Sequence, residues 1–166
     1  GSYAEAESDH LSRASTLLEL DRRMEAAEAL GWAAVCRAME HPGDVPDYWA
    51  SIPANPAWQA IPLEERVIHG VEWGRILLEG RALSTFDALG SWPWSEAVRE
   101  GNPDVSAEWD ARWALMQARR WRKQPTQALA ASLHAELAAR VIEDTERREP
   151  LLVEALRIGC GLLAET

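Results

Sequence analysis

The chain has 166 residues, of which 47% are hydrophobic and 27% charged, and a formal net charge of −10. That length bounds it to one domain with a core large enough to stand without disulfide or metal. No apolar run is long enough to cross a bilayer, and the acidic balance argues against a nucleic-acid binder that works by charge alone.

Gly1-Ser2 reads as the remnant of a tag junction. This leaves 3–166 as a single all-α domain. Thr16 and Glu19 have the spacing of a capping box. Leu17, Leu20, Met24, Ala27, Gly31, Ala34 and Ala38 then recur at three-four spacing, the mark of one buried helical stripe. Its second half is small enough for a neighbouring helix to approach closely.

The segment 41–62 is different. Prolines at 42, 46, 53, 56 and 62 forbid a continuous helix. Tyr48, Trp49, Ile52, Trp58 and Ile61 give this connection apolar area to bury, so it reads as ordered rather than disordered. Asn55-Pro56 has the form of an N-cap followed by Pro at the first helical position, which predicts a short helical turn around Trp58.

A second helix is expected from Leu63 to Glu79, ended by Gly80. Short turns follow over Ser84 to Leu89 and over Pro93 to Glu100. A longer helix is predicted over Ser106 to Lys123, with Trp109, Trp113 and Trp121 on one side and Ala107, Ala111, Ala114 and Ala118 on a small-residue face. From Thr126 to Glu149 the expected buried stripe is Leu129, Leu133, Leu137 and Val141. Acid-first pairs Glu136–Arg140, Glu143–Arg147 and Asp144–Arg148 are expected on the outer face. Pro150 starts or kinks the last helix. With no sustained alternation and no Asn-Gly hairpin, the fold class is all-α: a helical bundle of five to six helices with a long ordered Pro/Trp-rich connection.

Chemistry-bearing patterns are few. A carboxylate-bridged metal site needs Glu-x-x-His on two helices. The motif occurs once, at Glu7 to His10, while Glu65, His69 and Glu72 share one helix face. That is too little to assign a metal, a cofactor or a catalytic residue. No nucleophile elbow or phosphate loop is present. Arg119 to Lys123 is the one basic cluster, and cations at a helix C-terminus have an ordinary electrostatic reason to be there. Cys36 and Cys160 lie in apolar helical sequence and read as buried free thiols. Sixteen of the seventeen Lys and Arg residues are Arg. With so much Ala, this is the usage of a GC-rich genome and fits a soluble protein of bacterial cytoplasm.

All nine tryptophans lie between Trp32 and Trp121. Those in irregular sequence are expected to be displayed rather than packed away. Tyr48, Trp49, Trp58, Trp92 and Trp94 are therefore the candidate binding residues. The function expected is a non-enzymatic protein-interaction module (an adaptor, inhibitor or immunity-type partner) that meets a protein with a basic or aromatic-accepting surface. The alternative is a helical pocket for an apolar or aromatic small molecule, with 42–62 as its lid. The third is a carboxylate-bridged metalloenzyme.

Overall fold

The computed structural model describes residues 2–47, 49, 52, 56–59, 61–90 and 98–164. Among the described residues the regular structure is helix, with no strand. Eight helices have defined bounds among them, more than the five or six expected. The chain divides into two compact units, Gly1–Trp94 and Ser95–Thr166.

The N-terminal unit begins with α1, Tyr3–Glu19. Its cap is Ser2, from the pair read as a tag remnant. The Glu5 N–H donates to Ser2 Oγ at 3.2 Å, and the Ser2 N–H donates to the Glu5 carboxylate at 2.9 Å. The capping box expected at Thr16 is not one: Thr16 lies inside α1 and donates its hydroxyl to the Ser12 carbonyl at 3.2 Å.

A turn divides the stripe that the sequence reads as one helix. Asp21 takes the left-handed conformation at φ 55°. The Asp21 and Arg22 N–H groups donate to the Leu18 and Leu17 carbonyls at 3.1 and 2.8 Å. This paired closure is the Schellman pattern, which satisfies the last carbonyls of a helix. Helix α2, Arg23–Glu40, follows at once. Leu20 and Met24 consequently fall on the surface, while Ala27, Gly31, Ala34 and Ala38 remain buried.

The short helix α3 covers Pro56–Gln59, α4 covers Leu63–Glu79 and α5 covers Leu83–Gly90. Helix α4 ends as α1 does, but the left-handed residue is Arg81 at φ 60°, one past the glycine. Gly80 serves packing instead: a β-carbon there would lie 2.1 Å from Met39 Sδ. The buried Arg66 side chain fastens α4 to the chain before it. Its Nε donates to the Ile61 carbonyl at 2.9 Å and a terminal nitrogen donates to the Gln59 carbonyl at 3.4 Å. Burial pulls its pKa below the usual guanidinium value.

The C-terminal unit is built on three helices, with residues 98–101 also helical. Helix α6 is Pro103–Arg120, α7 is Pro125–Val141 and α8 is Thr145–Ala164. Asn102 caps α6 by accepting the N–H groups of Asp104 and Val105 at 3.0 and 3.3 Å, and Pro103 occupies the first turn, where its missing N–H costs nothing. The Asp104 carboxylate in turn accepts the N–H groups of Glu143 and Asp144, at 3.0 and 3.1 Å, and so holds the α7–α8 turn against the start of α6. Because of this turn, residues 142–144 are not helical, and only one of the three expected acid-first pairs forms. Arg140 reaches Glu136 at 2.6 Å, whereas Arg147 reaches Glu108 and Asp144, and Arg148 donates to the Thr145 hydroxyl.

The core between these helices is mostly alanine: Ala111, Ala114, Ala135, Ala139 and Ala155, with Leu115, Ile142 and Leu151. Small residues let the helix axes approach. The Ser132 hydroxyl donates to the Ala155 carbonyl at 2.7 Å, and a β-carbon at Gly159 would sit 3.1 Å from Ser132 Oγ. The buried face of α7 is thus Ala128, Ser132, Ala135 and Ala139, and not the stripe expected. Leu133, Leu137 and Val141 point to solvent, and Leu129 is half-buried.

Candidate functional site

The five residues expected to form a displayed aromatic surface do not all fall within the described part of the chain. Tyr48, Trp92 and Trp94 lie outside the described residues. Trp49 and Trp58 are described, and both are fully buried. Neither presents a surface. The physical reason is that an indole in irregular sequence can still fill a core when a helix face offers the space.

That space is made around Trp73 of α4. Its ring stacks on Trp58 at 5.3 Å and on His69 at 5.9 Å, meets Trp49 at 6.2 Å, and receives the edge of Trp32 at 6.4 Å. On its other flank, Gly31 of α2 leaves room for the indole: a β-carbon there would fall 2.1 Å from two of its ring atoms. This aromatic set is a core layer of the N-terminal unit.

One notch opens at its edge. It has a volume near 270 Å³ and is lined by Met24, Glu25, Glu28, Ile61, Glu65 and His69. The half-buried His69 has a buried Nδ1 that finds no hydrogen-bond partner among the described residues. Glu25 is already engaged by Arg22 at 2.8 Å. Its carboxyl is held below the usual carboxylate range, first by its own backbone N–H and then by Arg22. Glu65 and His69 do meet in this notch, but Glu72 does not line it. Among the described residues, no three His, Cys, Asp or Glu side chains converge as a metal site.

The C-terminal unit has two grooves. Between α6 and α7 a groove of about 390 Å³ is lined by Trp113, Trp121, Gln117, Ala130, Ala131 and His134, with the Arg99–Asp110 ion pair (3.0 Å) at its side. Trp113 is half-buried and is backed by the fully buried Trp109, stacked at 5.5 Å. Between α6 and α8 a second groove of similar volume carries Arg119, Arg122 and Arg157 over Ile158 and Leu162. Arg119 there is bonded to Glu154. The basic cluster at the end of α6 therefore reaches an acid on a neighbouring helix.

The side of the α7–α8 hairpin away from α6 is aliphatic. Leu133, Leu137 and Val141 of α7 are 51%, 66% and 66% exposed, and Val153 and Leu156 of α8 are 66% and 47% exposed. Contact between Ser132 and Ala155 fixes the register of the hairpin. One residue further along each antiparallel helix, a rotation of about 100° carries Leu133 and Leu156 to the same outer side. Cys160, expected to be buried, is exposed and lies on that side as well, four residues after Leu156.

These outward leucines are functional candidates that the sequence reading assigned to the core. The signal that separates the faces was present: Ala128, Ser132, Ala135 and Ala139 step four, three, four along the chain, closer to the 3.6 period than the uniform fours of the leucine row. No family model, curated protein or solved structure matches this chain.

Proposed function

We propose that the protein is a non-enzymatic protein-interaction module whose contact surface is the aliphatic outer face of α7 and α8. One observation carries the reading: Leu133, Leu137 and Leu156 are exposed on the side of the α7–α8 hairpin away from α6, with Val141 and Val153 exposed at its two edges. A monomer rarely displays a contiguous apolar patch beyond about 300–600 Å² without a use for it. The reading departs from the expected aromatic surface, because the described tryptophans of the connection are buried.

The test compares the full chain with a Leu133→Glu/Leu137→Glu variant as immobilised bait. A partner retained stoichiometrically by the wild type and lost by the folded variant supports the reading. Equal retention by both, or by neither, contradicts it.

A second reading, a site for an apolar or aromatic small molecule, is favoured by the α6–α7 groove. Two half-buried indoles, Trp113 and Trp121, flank an alanine floor there, and polar Gln117 and His134 could orient a ligand. Quenching of tryptophan fluorescence by a planar aromatic probe, lost in Trp113→Ala, is its test.

A further inference from the structure

The face that carries the proposed function has an occupant that its own chemistry selects. We infer that it docks on the same face of a second copy of this chain. The inference rests on the reading of that face as an interaction surface, and adds the identity of the partner.

Charge is the first argument. The chain as a whole carries −10. Two copies repel one another across most of their surface, and a partner chosen by that charge would be basic. The α7–α8 face does not share the excess. Between 126 and 142 the formal charges are Glu136 and Arg140, which are paired with each other, and between 150 and 164 they are Glu154 and Arg157. Each helix is neutral over the stretch that forms the face. A basic partner finds no carboxylate excess to recognise there, whereas another copy meets no repulsion.

Area is the second. The exposed Leu133, Leu137, Leu156 and Leu163, with Val141 and Val153 at the edges, offer on the order of 500 Å² of apolar surface, so a two-fold contact buries about 1,000 Å² with its rims, the threshold for a specific interface. Leu129 and Leu152, half-buried beside them, and Cys160 widen the patch.

Shape is the third. Helix α8 is apolar on two sides, with Leu151, Ala155 and Leu162 facing inward and Val153, Leu156 and Cys160 outward. A helix apolar on two sides belongs between two layers. The inner layer is α6 and α7. A two-fold related hairpin supplies the outer one and makes a four-helix layer from α7, α8 and their copies, an isologous contact in which one patch serves both partners.

The experiment is sedimentation equilibrium of the full chain across a wide concentration range, beside Leu137→Arg/Leu156→Arg. The expected result is a reversible dimer of twice 18.5 kDa, with self-association weakened about thirtyfold or more in the variant. Helix content of the variant is followed by circular dichroism. If that variant does not fold, the wild type still decides through Cys160, whose alkylation must slow as concentration rises. A dimer untouched by the substitutions, or Cys160 reactivity independent of concentration, overturns the inference. A chain that stays monomeric also overturns it, and an apolar dye then separates the two claims. Dye bound by the wild type and not by the variant leaves the interaction face standing without its self-partner. No dye binding to either means that the face is covered within the chain, and both readings fail.

Discussion

Trp73 occupies the space that a side chain at Gly31 would need. An added β-carbon would lie 2.1 Å from two atoms of the indole, and the indole is also the hub on which Trp58, Trp49, Trp32 and His69 converge. Gly31→Ala must therefore displace a ring that is gripped from several sides. Overpacking of this kind costs about 1–3 kcal/mol. Gly43, where an added β-carbon meets nothing within 4 Å, is the control. Urea unfolding should show a lowered midpoint for Gly31→Ala and little change for Gly43→Ala.

Ser132→Ala removes a buried hydroxyl that donates to the Ala155 carbonyl at 2.7 Å. A loss of about 1 kcal/mol is expected, since the carbonyl keeps its helical environment. Ser132→Leu should cost more than Ser132→Ala, because the side chain is buried and faces Gly159, where an added β-carbon would lie 3.1 Å from the hydroxyl oxygen. Thermal unfolding of the two variants ranks them.

Much of this fold could be read from the sequence, and the failures have physical causes. Pro and Gly spacing located α4 and the break at Gln124-Pro125. The small residues of α2 suggested a close helix approach, and at Gly31 the space they leave is filled by the Trp73 indole. The α1–α2 turn was missed because its left-handed residue is Asp21, with no glycine to mark it. The α7 face was inverted because leucine outranks alanine in any hydrophobicity ranking. Helices that pack at alanine distance bury the smaller residues and leave the larger ones for a further layer. The same bias hid the candidate site, since a leucine row reads as core. For Trp49 and Trp58 the error ran the other way: irregular sequence suggested display, and the space around Trp73 drew both rings inward.

Asp104 predicts a pH dependence. Its carboxyl is held below the ordinary aspartate value of 3.8, first by the Glu143 N–H, then by that of Asp144, with a small share from Arg147. A group whose pKa is lowered by folding stabilises the fold above its unfolded pKa and stops doing so as pH falls through its folded one. The difference in stability between wild type and Asp104→Asn should be constant at neutral pH and shrink below pH 3.8. Urea titrations of both proteins at stepped acid pH measure it, and a gap that widened in acid would refute the cap.

Arg66 holds the chain before α4 through the Ile61 and Gln59 carbonyls. Arg66→Met keeps the apolar stem and loses both bonds. Limited proteolysis should then cut faster near residues 56–61 in the variant than in the wild type, with cleavage in the C-terminal unit unchanged. Equal rates would mean that the buried guanidinium does not fasten this stretch.

Leu133 and Leu137 of α7 face outward, which leaves them available to a partner. Chemical denaturation of Leu137→Arg, at the lowest workable concentration so that no partner contributes, tests this most directly. A stability within about 0.5 kcal/mol of wild type is expected, as for a surface substitution, beside a loss of about 2–5 kcal/mol for the buried Leu115→Ala. A large loss at Leu137, equal to or beyond that at Leu115, would place the leucine row in the core and contradict the interaction face.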